Sequence, residues 1–364
     1  MAANAAGLRA TASKPGRLTA VAPRRAAVLR ALPGLGDFLC LVPALRALRA
    51  ALPSNQTQIL LIGLPANGPL VRRFGHYLDG LVEFPGFPGI PEAPLDLGRF
   101  GSRLLALQRQ HFDVVLQMHG HGGIMNVFAG LVGASLAAGY YLPGSYCPDP
   151  ETFLPYVEIE PEVRRWLRLL EALGIPSQGE ALEFPLEARD HEDLATLLRG
   201  ESLQPGTFAC IHPGARGTAR RWDPANFAAV ADALVPLGLD VVLTGTPDEK
   251  PVVRAVANAM CACAPLDLAG RTSLGSLAAL LTRARIIICN DTGVSHLAAA
   301  LGTPSVVVFG DPRVASDPRR WAPLNEDRHR PIAPSPDSPG APVTPRAVMD
   351  EVERLLGEDG RRHG

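Results

Sequence analysis

Residues 286–310 read IIICNDTGVSHLAAALGTPSVVVFG. The uncharged run IIICN gives way to Asp291-Thr292-Gly293, then to an apolar helical pattern over 293–301, then to a second uncharged run, SVVVFG. Runs that are apolar throughout, rather than alternating, belong to strands covered on both faces, as in a parallel sheet. The stretch therefore reads strand, helix, strand, with a short polar turn at the carboxyl end of the first strand. In open α/β sheets that end is where ligands bind.

The same alternation extends in both directions. Further strands are expected at 26–32, 58–63, 113–118, 134–140, 207–212 and 240–245, with helical patterns over 38–51, 224–237 and 274–283. Repeated strand–helix–strand units point to two doubly wound α/β units. The length fits, since 364 residues exceed one ordinary core and suit two domains of about 150 residues. The polar segment 176–205, punctuated by proline and glycine, is the expected hinge region. The expected division is a basic leader over 1–25, an N-terminal unit over 26–180, a C-terminal unit over 181–330, and a final stretch over 331–364. The leader carries Arg9, Lys14, Arg17, Arg24 and Arg25 with no acid before Asp37. It reads as disordered, although its composition also suits a transit peptide. Six prolines in residues 331–345 suggest an extended linker, and 345–357 an amphipathic helix.

Bulk properties exclude several classes. Hydrophobic residues make up 47% and charged residues 20%, which marks a folding chain. A formal charge of −1 argues against a general nucleic-acid binder. No apolar run approaches the ~18 residues of a membrane span. Six cysteines form no CxxC, and Cys261 and Cys263 make a lone CxC, a poor zinc signal. A reducing cytoplasm is the simplest compartment, and the basic leader could touch an anionic membrane surface.

Four loops after expected strands hold the residues of chemical interest. HPGARGTARRW (212–222) combines Gly214 and Gly217 with Arg216, Arg220 and Arg221. Arginine offers a planar donor fork for phosphate oxygens, although a solvated basic loop would look the same. At Asp291-Thr292-Gly293 a helix begins, and helix N-termini favour anions. The competing reading is that Asp291 or Thr292 simply caps the helix. TGTPDEK (244–250) ends in Asp248 and Glu249, which are either dipole partners or acceptors for ribose hydroxyls. LPGLGDFL (32–39) is a glycine loop that ends in a carboxylate, Asp37, which would repel a phosphate. Gly34 and Gly36 are expected to turn the backbone tightly so that Asp37 projects into a cleft. The sequence contains no GxxxxGK[ST], no GxGxxG opening the first helix and no DxD. A diphosphate here would be neutralised by arginine and a helix end.

Four stretches together resemble glycosyltransferase family 9, the ADP-heptose:lipopolysaccharide heptosyltransferases with the GT-B fold. They are LPGLGDFLCLVPALRALR (32–49), HPGARGTARRWDPANFAAVADAL (212–234), VVLTGTPDE (241–249) and residues 268–310. The resemblance implies two Rossmann-like doubly wound domains facing a cleft, with the acceptor on the N-terminal half and the nucleotide sugar on the C-terminal half. It implies an inverting transfer of a sugar, typically heptose, without metal or other cofactor. By position, Asp37 matches the family's general base, with Gly36 beside it. Gly214, Arg220, Thr246, Glu249, Asp291, Thr292, Gly293 and His296 fall on donor-binding motifs. Arg220 stands where the family usually has a phosphate-binding lysine. HGHGGIMN (119–126) is similar to a cleft-facing loop, which puts His119 on the acceptor side. The implied partners are a nucleotide-sugar donor and a glycan or glycolipid acceptor, with peripheral contact at the inner face of the cytoplasmic membrane. Competing expectations are a transferase or epimerase using a UDP- or GDP-sugar, and a non-catalytic nucleotide- or glycan-binding protein.

Overall fold

Among the described residues, twelve strands form two sheets of six, in which every pair of neighbours is parallel. The computed structural model describes residues 17–311, 316–334 and 342–362. The first sheet contains β1 (Arg25–Leu29), β2 (Gln58–Gly63), β3 (Gly80–Glu83), β4 (Val114–Gln117), β5 (Leu136–Tyr141) and β6 (Phe153–Pro155). Its order is β3-β2-β1-β4-β5-β6. The second contains β7 (Phe208–His212), β8 (Asp240–Leu243), β9 (Leu266–Asp267), β10 (Ile286–Asn290), β11 (Ser305–Val308) and β12 (His329–Ile332). Its order, β12-β11-β10-β7-β8-β9, is the same winding repeated. Each sheet reverses direction once, between β1 and β4 and between β7 and β10, and crevices for ligands open at such switch points.

The central strands form for the reason the sequence suggested. Every residue of β7 and β10 is buried, so their apolar runs are covered on both faces. The helix Gly293–Leu301 stops at Gly302, whose φ of 71° is left-handed backbone that glycine adopts without cost. Helix Glu162–Ala172 packs on Val42–Ala51, and Ala188–Leu197 packs on Leu274–Leu281. Between the halves, helix Leu35–Leu39 lies against Gly293–Leu301. One buried apolar cluster runs through that contact, from Phe38 and Leu39 to Val294 and Leu297. Chain order thus places two Rossmann-like halves with their switch points toward each other, the GT-B arrangement.

Several expectations are corrected. The helix expected over 38–51 is two helices, Leu35–Leu39 and Val42–Ala51, because Pro43 has no N–H with which to continue the first ladder. The leader is ordered from residue 17 onward: helix Arg17–Val21 buries Leu18 completely, and Leu18 N–H donates to the Leu173 carbonyl. Residues 1–16 lie outside the described residues. The expected linker begins inside a strand, since Pro331 belongs to β12, an edge position where a missing N–H costs no ladder bond. Residues 335–341 of that stretch also lie outside the described residues. The final helix runs Pro345–Arg362 and buries Val348, Val352 and Leu355. The expected hinge region contains the helix Ala188–Leu197, docked on the second half.

Candidate active site

The glycine loop leaves β1 at Arg30 and reaches Asp37 in the first turn of Leu35–Leu39. Asp37 keeps about a quarter of its side chain exposed, and its Oδ1 lies 3.2 Å from Arg30 Nη2. Arg30 itself is buried. Its Nη1 donates to the Met118 carbonyl at 2.5 Å, and its guanidinium lies 4.9 Å from the centre of the Trp166 ring. Its Nη2 is also 3.7 Å from Glu162 Oε1. His119, at the end of β4, accepts from Ala31 N–H through Nδ1 at 3.3 Å. Burial, with the nearby Arg30 and His121 charges, lowers its pKa to about 4, so it works as a neutral ring. The structure therefore brings Asp37 and His119 to one switch point, around an arginine that the sequence reading did not single out.

The glycines serve a different purpose from the one expected. Gly34 has φ −74°, and neither Gly34 nor Gly36 is among the residues in left-handed backbone. Gly34 leaves room for the Asp37 carboxylate, with which a Cβ would collide. Gly36 leaves room for His296, whose Cδ2 would stand 2.6 Å from a Cβ. Gly293 answers from the other half, since a Cβ there would come within 2.8 Å of Leu35 Cβ and 3.2 Å of Gly36 N. The two helices thus touch glycine to glycine.

His296 is buried in this seam rather than among the arginines. Its Nδ1 is 3.5 Å from Cys40 Sγ, and its ring meets Trp321 edge-on at 6.4 Å. Burial lowers its pKa, opposed by the charges of Asp291, Asp37 and Glu162. Burial raises the Cys40 thiol well above its usual range, with Glu162 and Asp37 acting the same way. Behind the ring is a cavity of about 290 Å³ between the halves, reached by Cys40, Glu162, Arg320, Trp321 and His329. Asp37, Arg220 and Asp291 do not line it.

In the second half, Asn290 fixes the arginine loop. Its Oδ1 accepts from Trp222 N–H at 3.0 Å and its Nδ2 donates to the Pro213 carbonyl at 2.8 Å. Of the three arginines, Arg221 braces its own loop through the Ala215 carbonyl, Arg216 is exposed, and Arg220 turns to Asp291, Nη1 to Oδ2 at 3.8 Å. Asp291 is almost wholly buried, yet Oδ2 has no hydrogen-bond partner. Capping does not account for Asp291 or Thr292. Thr292 is the N-cap of Gly293–Leu301 and makes no side-chain cap bond; Ser295 N–H donates to the Thr292 carbonyl at 3.0 Å, which leaves the N–H groups of Gly293 and Val294 without a side-chain cap. Glu249 packs over Gly214, where any Cβ would strike its carboxylate. Its Oε2 accepts from Thr246 N–H at 2.8 Å and lies 3.6 Å from His212 Nε2. His212 is buried on Thr244 Oγ1 at 3.0 Å, and burial lowers its pKa against the pull of Glu249. Among the described residues no group of three or more His, Cys, Asp or Glu is placed to hold a metal ion.

The family model for glycosyltransferase family 9 (heptosyltransferase) matches residues 104–338, more than half of the chain. This chain belongs to glycosyltransferase family 9. Among curated family-9 relatives, it is 38% identical over 123 residues to lipopolysaccharide heptosyltransferase 3 of Escherichia coli, covering 33% of this chain and 35% of that protein. It is 29% identical over 165 residues to lipopolysaccharide heptosyltransferase 2 of Salmonella typhimurium, covering 41% and 46%. The chain thus spans less than half the length of either curated relative. The solved ADP-heptose lps heptosyltransferase II of E. coli superposes with a TM-score of 0.71 at 21% identity, over 92% of this chain and 99% of that one, a likeness of fold.

Within this family-9 site, sequence reasoning missed Arg30, Glu162 and Arg320. Arg30 carried a local signal, a charge directly at the end of an apolar strand. Glu162 and Arg320 carried none, because 158 residues separate them and only folding brings them to 3.1 Å.

Proposed function

We propose that this protein is an inverting, metal-independent heptosyltransferase that moves heptose from ADP-heptose to a glycan or lipopolysaccharide-like acceptor. The observation that carries this reading is the meeting of the two switch points. Asp37 directly follows Gly36, whose backbone meets Gly293 across the seam, at a helix N-terminus where Thr292 makes no side-chain cap bond. Curated relatives of this chain are lipopolysaccharide heptosyltransferases, which supports the choice of donor and acceptor. An acceptor hydroxyl would attack the anomeric carbon from the face opposite the diphosphate. Asp37 would take its proton as the new C–O bond forms, a role worth typically 10²–10⁴-fold. The bond to the leaving phosphate oxygen breaks, and its electron pair departs with the nucleoside diphosphate. Arg220 and the N–H groups at Thr292 and Gly293 would stabilise that charge where other enzymes use a metal. Glu249, held over Gly214, would take the ribose hydroxyls, while Thr246 and Asp291 shape that pocket. His296 would close the seam beside the sugar, and Gly36 and His119 would border the acceptor. Among the described residues no helix is long and apolar enough to cross a membrane, so a glycolipid acceptor would be met peripherally, at the inner face of the cytoplasmic membrane.

The test is calorimetry against ADP-, GDP- and UDP-sugars, followed by product analysis of transfer in the presence of a chelator. ADP-heptose should bind best, and chelation should not slow transfer. Asp37→Asn should lose transfer by at least about 100-fold while still binding donor. Preference for a UDP- or GDP-sugar would overturn the donor assignment, and turnover by Asp37→Asn at the wild-type rate would overturn the base.

A further inference from the structure

We infer that Arg30 is a positioning residue for Asp37, and that Glu162 ties this arginine to Arg320 of the opposite half. The inference rests on Asp37 acting as the base. Arg30 is only 3% exposed, and both terminal nitrogens of its guanidinium already face protein groups. Its guanidinium is gripped on several sides, by the Met118 carbonyl, the Trp166 ring, Asp37 and Glu162. Its Nε is buried without a hydrogen-bond partner, a cost accepted to aim the remaining donors. Of the two Asp37 oxygens, Oδ1 faces Arg30, so the arginine determines how the carboxylate is presented.

Glu162 divides its carboxylate between the halves. Oε1 faces Arg30, while Oε2 accepts from Arg165 Nε and from Arg320 Nε, each at 3.1 Å. Arg320 comes from helix Pro318–Trp321, between β11 and β12, and its guanidinium also lies 4.9 Å from the Trp321 ring. Glu162 is 2% exposed, so losing one cation partner leaves buried negative charge that the others must balance. Arg30 Nη2 already stands between Asp37 Oδ1 at 3.2 Å and Glu162 Oε1 at 3.7 Å, so a Glu162 that lacks Arg320 competes with Asp37 for the same nitrogen. The carboxylate is therefore held in place only while the second half docks Arg320 on Glu162. A side chain some distance from any reacting atom thereby sets the geometry of proton removal.

Two measurements test this. In steady-state kinetics with ADP-heptose, Arg30→Met should lower kcat by about 100-fold, the value of a well-placed base, with the donor KM within about twofold. Arg30→Lys should recover much of that loss. Unchanged kcat in Arg30→Met, or no recovery by lysine, would overturn the positioning role. Because Arg30→Met may not fold, the second measurement leaves Arg30 in place. A double-mutant cycle pairs Asp37→Asn with Arg320→Gln in chemical unfolding. These two side chains belong to one network, so their combined effect on the unfolding constant should depart from the product of the single effects by at least about threefold. Additive effects would overturn the relay even where Asp37→Asn is inactive. Fast turnover by Asp37→Asn overturns the base itself, which keeps the two failures distinct.

Discussion

Gly214 shows how much a single hydrogen can decide. The Glu249 carboxylate occupies the space where a Cβ on residue 214 would sit, and it is held there by Thr246 N–H. Gly214→Ala would push the Glu249 carboxylate out of its place without touching the sheet. If Glu249 takes the ribose hydroxyls, the change should weaken ADP-heptose binding by roughly 10-fold, the value of one or two charge-assisted hydrogen bonds. Melting temperature should hardly move, since the displaced carboxylate can swing toward solvent. Calorimetry on the variant decides it, and undiminished affinity would remove Glu249 from the donor site. Gly293→Ala has a different expected outcome. Its Cβ would meet Leu35 Cβ and the Gly36 backbone, which cannot rotate away, so the seam between the halves must open. Overpacking of that kind costs about 1–3 kcal/mol, and the unfolding midpoint should fall accordingly.

At the scale of elements, β10 and the loop 212–222 act together through Asn290. Replacing Asn290 by alanine leaves Trp222 N–H and the Pro213 carbonyl without their partner inside the protein. Buried groups stranded in this way cost about 1–3 kcal/mol each. Asn290→Ala should therefore lower stability and, by freeing Arg220, donor affinity as well. A loss of stability with full affinity would show that Arg220 is placed without Asn290. The strands around this loop were legible because β7, β8, β10 and β11 are apolar on both faces, which removes ambiguity about period. The edges were not. β3 opens on a glycine, β9 is two residues long, and β12 contains Pro331, so none offers a run long enough to read. The site divided in a similar way. Asp37, Arg220, Glu249 and Asp291 could be singled out because each lies in the loop or first helical turn that comes after a strand. The glycine loop misled on mechanism, because close approach and a tight turn leave the same residue in the sequence. Glu162 lies at the start of a helix that no pattern connects to Asp37, and only the docking of Glu162–Ala172 on Val42–Ala51 places it there.

The whole molecule carries a pH dependence that follows from where its histidines are buried. His119 and His329 are each lowered to about 4, and His212 and His296 are lowered as well, in every case mainly by burial. In the unfolded chain the same rings take protons near pH 6.5. Between pH 6.5 and about 4 the unfolded state therefore binds more protons than the folded one, and the stability these groups contribute is lost as pH falls. Above pH 6.5 both states hold neutral rings and the contribution is constant. Each ring adds at most about 1.4 kcal/mol per pH unit to the slope. Carboxylates whose pKa values are lowered, such as Asp190 and Asp317, act in the same direction but only at lower pH, because their ordinary range is already near 4. The interval from pH 6.5 to 5 thus belongs to histidine. His329 is the one to test, since it sits on edge strand β12 with Nδ1 on Ser305 Oγ at 2.9 Å, outside the proposed chemistry. Urea midpoints for the wild type should be level from pH 8 to 7 and fall steeply from 6.5 to 5. His329→Asn should flatten that fall by up to one proton's worth, and an equal slope in the two proteins would show that His329 charges freely within the fold.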